Sequence, residues 1–162
     1  KLAALAADGV PMLRRRGGGG AVVLSPGQVV LALVTEVAAD FGNREYARAI
    51  NEWFVEALGR LGVEGLEQRG ITDLAVRGRK ILGTSLYRSR RVLFYQASLL
   101  VANDVSVFAR YLAHPYAEPD YRQGRDHASF CTTLRAEGHD LDAGRVIEAR
   151  APVVGRRLPA LR

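Results

Sequence analysis

The stretch that most constrains this chain is Arg14-Arg15-Arg16-Gly17-Gly18-Gly19-Gly20-Ala21-Val22-Val23-Leu24, in which three cations precede four glycines and an apolar run. Four glycines lose much backbone entropy on ordering, so packing alone does not account for them. Such a run is typical of backbone that a ligand approaches closely: amide N–H groups form an anion-binding concavity, and arginine adds bidentate contacts to phosphate or carboxylate. The alternative is a flexible basic loop, but the apolar residues 21–24 favour an ordered strand.

Two familiar phosphate-binding motifs are excluded by the residues around these glycines. A P-loop requires Gly-Lys-Ser or Gly-Lys-Thr at its end, and Gly20 is followed by Ala21. A dinucleotide-binding fingerprint requires G-x-G-x-x-G, whose last position is occupied here by Val22 or Val23. The loop therefore indicates nucleotide or acyl-phosphate chemistry of another kind.

The composition indicates one globular domain in 162 residues, of which 48% are hydrophobic. No apolar run is long enough to span a membrane, and no signal peptide is evident. The net charge of +6 favours acidic partners. The cations are spread along the chain without interleaved aromatic residues, which does not favour nucleic acid. A single cysteine excludes an internal disulfide and fits a reducing cytoplasm.

Hydrophobic periodicity predicts an α+β fold, with a mixed and mostly antiparallel sheet flanked by helices. Helices are predicted over residues 1–7, 44–60, 105–112 and 141–150, the last ending before a proline. Strands are predicted over residues 10–13, 21–24, 28–34, 72–76, 79–83, 86–95 and 97–101. Asn43 is the predicted N-cap of the second helix. Because residues 1–7 read as the middle of a helix, we expect a single domain that lacks its N-terminal part.

Lys80 is the candidate catalytic residue, because it follows a tight Arg77-Gly78 turn at the start of a predicted strand. Taken alone, a lysine at such a position is more simply a surface charge. Together with the glycine loop it gains significance, since an active site that joins a carboxylate to a nucleotide phosphate needs a fixed cation at the reacting centre.

These motifs occur in a characteristic order. The glycine loop is followed by a helix, then by Gly78-Arg79-Lys80-Ile81-x-Gly83-x-Ser85, then by Leu99-Leu100-Val101. The later segment at residues 118–130 adds Glu-Pro-Asp-Tyr-Arg-x-Gly-Arg-x-His-x-x-Phe. Over residues 10–135 this arrangement resembles the lipoate–protein ligases, within the larger biotin/lipoate ligase and octanoyltransferase family.

The resemblance implies the α+β fold of biotin and lipoate ligases, which is related to class II synthetases. It implies an ATP-dependent reaction, accompanied by Mg²⁺, that converts lipoate to lipoyl-adenylate. The lipoyl group would then pass to a lysine of an acceptor domain in 2-oxoacid dehydrogenase or glycine cleavage proteins. Lys80 would contact both the lipoyl carboxyl group and the phosphate. The implied nucleotide contacts are Arg15, Gly18, Gly19, Gly20, Ala21, Val22, Val23 and Lys80, and the implied substrate contacts are Gly83, Ser85, Gln96 and Ala97.

The chain departs from the family pattern in the implied acyl pocket. Members often carry His-Gly before the Leu-Leu strand, where this sequence has Gln96-Ala97. The pocket is then narrowed, or the acyl group is recognised differently. A non-catalytic protein that holds lipoate or a lipoyl domain is a further alternative, which the retained Lys80 opposes. The accessory C-terminal domain of some ligases is also missing from this sequence.

Cys131 bears on the choice between a ligase and an octanoyltransferase, because transferases form a thioester on a cysteine. Those cysteines stand at other positions relative to the lysine segment, so a buried and inert thiol is the favoured interpretation. His127 lies four residues earlier and would face Cys131 if this stretch were helical. The histidines, His114, His127 and His139, lack metal-ligand spacing, and no protein metal site is predicted.

Overall fold

A five-stranded antiparallel sheet forms the centre of the computed structural model, which describes residues 1–38 and 42–161. The strand order is β1-β5-β4-β3-β2, so β1 and β2 lie at the two edges. The strands are β1 (Gln28–Glu36), β2 (Leu66–Arg69), β3 (Asp73–Val76), β4 (Arg79–Ser89) and β5 (Val92–Leu100). The α+β class and the antiparallel sheet predicted from the sequence are confirmed.

Five α-helices flank this sheet in the described part of the chain. They are α1 (Leu2–Ala7), α2 (Asn43–Gly59), α3 (Ser106–Tyr111), α4 (His127–Phe130) and α5 (Ala143–Arg157). Two 3-10 turns, Asp120–Arg122 and Leu158–Leu161, complete the fold. None of the helices described for this chain has the length and apolarity that a membrane span requires.

The two faces of the sheet differ because side chains alternate along each strand. Odd-numbered residues of β5 point toward α2 and α5, where Leu93, Tyr95 and Leu99 are fully buried. Even-numbered residues point to the opposite side, which we call the open face; it carries Gln96 of β5 and Ser85 of β4, which stand opposite each other in the ladder. Part of the open face is covered by α3, α4 and the first 3-10 turn.

Helix α2 supplies most of the packing against the sheet, as its 3.6-residue periodicity predicts. Its buried residues are Tyr46, Ala47, Ile50, Asn51, Trp53, Phe54, Ala57 and Leu58. Trp53, which is 2% exposed, takes part in this packing. The N-cap prediction is wrong: the cap position is Gly42, and Asn43 is the first helical residue.

Two predicted strands are absent. Residues 10–13 and 21–24 form no ladder, because β1 pairs with β5 and neither segment has a sheet partner. Apolar residues there therefore do not indicate pairing, and Val22 and Leu24 remain more than half exposed. A turn at Ser25-Pro26-Gly27 follows residues 21–24: Gln28 N donates to Ser25 O at 3.4 Å, and Gly27 has a φ of 86°.

Three further boundaries differ from the prediction. Helix α5 continues through Pro152 to Arg157, because an apolar stripe that includes buried Val153 anchors its second half. Strand β2 was not predicted, since its residues Leu-Glu-Gln-Arg carry little β-forming tendency. A tight turn at Arg90, with φ 53°, divides what the pattern predicts as one long extended segment into β4 and β5.

Candidate active site

Lys80 lies on the open face because a β-bulge redirects its side chain. Leu74 stands opposite Leu82, and Ala75 stands opposite Lys80, which leaves Ile81 as the extra residue. Bulges of this kind re-aim the neighbouring side chains. Ile81 and Leu82 are both fully buried against the helices, so the alternation places Lys80 on the other side of the sheet.

The ammonium group of Lys80 is held in a defined position. Its Nζ lies 2.8 Å from Oδ1 of Asp73, and the lysine side chain is 27% exposed. A Cβ at Gly83 would come within 3.0 Å of Lys80 Cε and 3.1 Å of Nζ, so the lysine stem lies directly over this glycine. In this structure Gly83, which was predicted to contact the substrate, packs against the side chain of Lys80.

Asp73 is fixed from both ends of its carboxylate. The Tyr121 hydroxyl donates to Oδ2 at 3.0 Å while Lys80 holds Oδ1. Tyr121 is 5% exposed and packs on Phe130 with ring centroids 5.0 Å apart. Burial and the neighbouring Asp73 charge both raise the pKa of Tyr121, which keeps this phenol a donor. Neither Asp73 nor Tyr121 was assigned a role from the sequence, although Tyr121 lies in one of the segments that carry the resemblance.

The residue before Asp73 is tied into the core by polar contacts. The Asn51 side chain donates to Thr72 O at 2.9 Å and accepts from the Tyr95 hydroxyl at 2.6 Å. The Thr84 hydroxyl donates to Thr72 Oγ1 at 2.5 Å. Because Asn51 and Tyr95 are fully buried, these bonds form in a dry environment and fix the start of β3 relative to α2 and β4.

The glycine loop packs directly on β4. The Ser85 hydroxyl donates to Gly18 O at 3.1 Å. A Cβ at Gly17 would stand 1.8 Å from Ser85 Oγ, so a residue other than glycine fits there only if the Ser85 hydroxyl moves. Gly17 was not among the predicted site residues, and its requirement comes from a contact 68 positions along the chain that periodicity does not reveal.

Arg15 organises the loop from within. Its Nη2 donates to the carbonyl oxygens of Gly18 and Gly20, each at 2.8 Å. Gly19 adopts a φ of 90°, in the region that favours glycine. A Cβ at Gly18 or Gly20 would meet no other atom within 4 Å, so bare backbone faces open space at both positions.

Lys80 and the glycine loop therefore converge on one face of one strand. The lysine covers Gly83 and the loop covers Ser85, two residues further along β4. A strand rises roughly 3.3 Å per residue, so the two contacts lie about 7 Å apart along β4. A fixed cation next to a glycine-rich backbone turn is an arrangement suited to an anionic ligand.

Of the remaining predicted contact residues, some lie on the open face and others do not. Gln96 stands opposite Ser85 on the open face, and its Oε1 is buried without a partner among the described residues. The neighbouring Ala97 is 4% exposed and its side chain points to the core instead. Ala21 and Val22 are exposed, whereas Val23 packs against the small apolar cluster that contains Phe130.

Cys131 lies beside the candidate lysine but its thiol is buried. Thr132 N donates to Lys80 O at 3.0 Å, which forms an isolated parallel bridge between Lys80 and Cys131. The cysteine is 8% exposed, and burial raises the pKa of its thiol despite the nearby Lys80 charge. The stretch from His127 is helical, yet the two His127 ring nitrogens lie near Ala113 O and Arg122. The contacts of this imidazole thus do not include the thiol.

We expect the Cys131 thiol to resist alkylation by iodoacetamide in the folded protein at pH 7 to 8. The raised pKa keeps the thiol protonated in this range, and the thiolate is the reactive form. Mass spectrometry should show modification only at higher pH or in denaturant. Stoichiometric labelling of the folded chain at pH 7 would contradict this assignment.

Metal-binding groups are sparse in the described ranges 1–38 and 42–161. They contain no cluster of three or more His, Cys, Asp or Glu side chains. The carboxylate nearest the candidate lysine is Asp73. A divalent cation at this site would therefore need further oxygen ligands from a bound molecule.

A family model described as lipoyl protein ligase A/B catalytic domain matches residues 1–152. Among curated proteins, a lipoate–protein ligase of Streptococcus pyogenes is 32% identical over 105 residues, covering 64% of this chain and 30% of the relative. An octanoyltransferase of Alcanivorax borkumensis is 26% identical over 155 residues, covering 95% of this chain and 59% of the relative. The chain thus spans less than two thirds of either relative.

Solved structures share the fold. A bipartite lipoate protein ligase from Thermoplasma acidophilum superposes with a TM-score of 0.82 at 21% identity, covering 98% of this chain and 62% of its own. A structure of lipoate–protein ligase A bound with ATP superposes with a TM-score of 0.81 at 21% identity, covering 98% of this chain and 63% of that protein. A biotin protein ligase from Aquifex aeolicus superposes with a TM-score of 0.56 at 16% identity, covering 83% of this chain and 54% of that protein. The predicted relation to the biotin and lipoate ligase fold is confirmed.

Proposed function

The chain belongs to the lipoyl protein ligase A/B catalytic-domain family, and from this premise we propose that it carries the catalytic face of an ATP-dependent lipoate–protein ligase. The substrates in this proposal are lipoate, ATP and an acceptor domain of a 2-oxoacid dehydrogenase or glycine cleavage protein. The acceptor supplies the lysine that is modified. The single cysteine fits a reducing compartment, and we assign the reaction to the cytoplasm.

The proposed reaction has two steps. A lipoate carboxylate oxygen attacks the α-phosphorus of ATP, the bond to the β-phosphate oxygen breaks, and pyrophosphate leaves. The ε-amino group of the acceptor lysine then attacks the acyl carbon, loses a proton and expels AMP, which leaves an amide. No enzyme nucleophile takes part, so the protein acts by positioning the reactants and by stabilising negative charge.

The observation that carries the proposal is the placement of Lys80 beside the glycine loop on the open face. Its ammonium group is preorganised by Asp73, which lowers the reorganisation needed when negative charge develops between carboxylate and phosphate. On binding, the phosphate would compete with Asp73 for the same ammonium group. Gly83, Ser85 and Gln96 lie on the same face and are the proposed acyl-side contacts.

The residues present fit a nucleotide. Bare backbone at Gly18 and Gly20 leaves space for close approach, and the donation from Arg15 to two loop carbonyls holds the loop in shape. Mg²⁺ would arrive with the phosphates, whose oxygens complete the coordination that protein carboxylates here do not. When bound, the ion would neutralise phosphate charge, with Asp73 as the available protein carboxylate.

The test is lipoate-dependent exchange of labelled pyrophosphate into ATP, measured with this chain and with the full-length protein. Exchange that requires lipoate supports acyl-adenylate formation. Lack of exchange in the full-length protein, under conditions where an octanoyl carrier protein transfers its acyl group, would contradict the ligase proposal.

One observation favours the transferase as the second candidate. The backbone of Cys131 bridges to that of Lys80, so a thiol lies next to the proposed catalytic cation. The buried position and raised pKa of this thiol weigh against nucleophilic use.

We expect Cys131→Ser to retain most of the ligase activity, with a small loss of stability from placing a hydroxyl in an apolar site. A thioester mechanism would instead lose almost all rate, since serine lacks an activating base here. Intact mass spectrometry after incubation with the octanoyl carrier provides the control. Loss of acyl transfer in a stable Cys131→Ser protein, with an acyl adduct on the parent alone, would establish the transferase.

A further inference from the structure

The ion pair between Asp73 and Lys80 joins two side chains that do not fix each other. Lysine carries its charge on a flexible four-carbon stem, and a pair that is open to solvent can move as a unit. The lysine side chain is 27% exposed. Packing on Gly83 limits the lysine stem but does not orient the carboxylate of Asp73. A defined position for the ammonium group therefore requires that a third group holds Asp73.

Tyr121 is a rigid anchor for that carboxylate. Its hydroxyl donates to Asp73 Oδ2 at 3.0 Å, and the residue is 5% exposed. The ring packs on Phe130, and the guanidinium carbon of Arg69 lies 5.4 Å from its centroid. A Cβ at Gly70 would stand 3.4 Å from Tyr121 Cε1, so the turn between β2 and β3 also contacts the ring. Because tyrosine has only two side-chain torsions, this packing fixes where the hydroxyl lies.

The segment that carries Tyr121 is bound to the β3–β4 hairpin at several points. Nη2 of Arg125 donates to Tyr121 O at 2.7 Å and to Gly78 O at 3.0 Å. This guanidinium thus joins the tyrosine backbone to the turn that precedes β4. Nη2 of Arg79, in β4, donates to Cys131 O at 2.8 Å. The hairpin and the segment therefore form one unit, which sets the position of the tyrosine hydroxyl relative to β3.

We propose that Tyr121 is a positioning residue for the adenylation step, which acts on Lys80 through Asp73 and does not touch the substrates. The inference rests on the proposed ligase function, and it gives a role to part of the motif at residues 118–130 that the reaction does not otherwise use. Without the hydroxyl the carboxylate keeps its charge but gains freedom to rotate, and the ammonium group moves with it. The cation then lies less often where negative charge develops between carboxylate and phosphate.

Tyr121→Phe tests the proposal, because it removes the hydroxyl while keeping the packed ring. In the full-length protein kcat for lipoate-dependent pyrophosphate exchange should fall about tenfold, the lower end of the effect of losing a group that orients a functional side chain. KM for ATP should change less than about twofold, since the lost interaction acts in the transition state. Tyr116→Phe is the matched control: Tyr116 is fully exposed, and its substitution should change neither constant.

A double-mutant cycle separates positioning from a purely structural role. In a Lys80→Ala background the hydroxyl has no ammonium group to position, so Tyr121→Phe should lower the exchange rate no further. A hydroxyl that only stabilises the fold would lower the rate by the same factor in both backgrounds, and that result would overturn the proposal.

A measurement on the unliganded chain is independent of the ligase reaction. Lys80 is one of two lysines in the sequence, so ¹³C-labelled lysine gives a simple NMR spectrum that Lys80→Ala assigns. The order parameter of Lys80 Cε should fall in Tyr121→Phe, on a scale where roughly 0.85 is rigid and below about 0.6 is flexible. It should stay unchanged in Tyr116→Phe. An unchanged order parameter in folded Tyr121→Phe would refute the positioning role. A lowered one in a full-length protein without pyrophosphate exchange would support the positioning of Lys80 and reject the ligase proposal alone.

Discussion

Replacement of Lys80 by alanine is expected to lower the rate of lipoyl-adenylate formation by roughly 10²- to 10³-fold, the cost of removing one preorganised charge-stabilising group. The ammonium group is the cation that Asp73 holds over Gly83, next to the glycine loop. Lipoate-dependent pyrophosphate exchange in the full-length protein measures the effect. The thermal unfolding midpoint should change little, because the lysine side chain is partly exposed and Asp73 keeps its bond from Tyr121.

Two variants act as controls for this result. Lys80→Arg keeps the positive charge but changes the shape of the donor, so we expect it to recover only part of the activity. Lys1→Ala removes the other lysine of the chain, whose contacts are with α3, and should leave the exchange rate unchanged. Full exchange activity in a folded Lys80→Ala protein would remove this lysine from the mechanism.

Replacement of Gly17 by alanine should lower ATP-dependent activity by about 100-fold, because a displacement near 1 Å at a positioning element has an effect of that order. The added Cβ would stand 1.8 Å from Ser85 Oγ and 3.1 Å from Ser85 Cβ, so the Ser85 hydroxyl must rotate away and give up its bond to Gly18 O, which loosens the loop from β4. Hydrogen exchange of the loop amides should accelerate in parallel. ATP affinity, measured by calorimetry, should fall while the sheet stays folded.

Because the Cβ of Gly17→Ala would collide with Ser85, a second substitution at Ser85 should reverse part of its effect. Ser85→Gly removes the two atoms that stand too close to the new Cβ and leaves Leu86 N at 3.6 Å, an ordinary contact. The double variant also lacks the bond from the Ser85 hydroxyl to Gly18 O, so it should regain part of the loop protection relative to Gly17→Ala alone. Gly18→Ala is the matched control for loop order, since a Cβ there meets no atom within 4 Å. If Gly17→Ala and Gly18→Ala perturb the loop equally, the contact with Ser85 does not hold the loop.

The sequence predicted those parts of the fold that depend on local periodicity. The apolar stripe of α2 and the turn at Arg77-Gly78, where both φ angles are positive, follow from residue spacing and turn chemistry. The failures concern pairing. Residues 21–24 have the apolar composition of a strand but pair with no other strand. Strand β2 pairs with β3 although its residues are not typical of a strand. Ladder formation depends on distant residues, which a local pattern does not contain.

In the candidate site, too, residues within local motifs were predicted and contacts between distant residues were not. Lys80 and the glycine loop were predicted from motifs, and the structure brings them together on β4. Asp73 and Tyr121 were not assigned roles, because their importance comes from a bond between side chains 48 positions apart. The bulge at Ile81, which turns the lysine to the open face, depends on how β3 pairs with β4. A one-residue change of register there would bury the lysine against the helices.

The position of β1 at the edge of the sheet has a consequence for the order of folding. Strands β2 to β5 are consecutive and pair with their sequence neighbours, whereas Gln28 of β1 pairs with Leu100 at the far end of β5. Local pairings form faster than those that close a long loop, because closure entropy grows with loop length. We therefore expect β4, which carries Lys80, to fold early with its neighbouring hairpins, and the glycine loop to become ordered later, when β1 pairs with β5. Destabilising β1 should then release the loop while the strand that carries Lys80 stays folded.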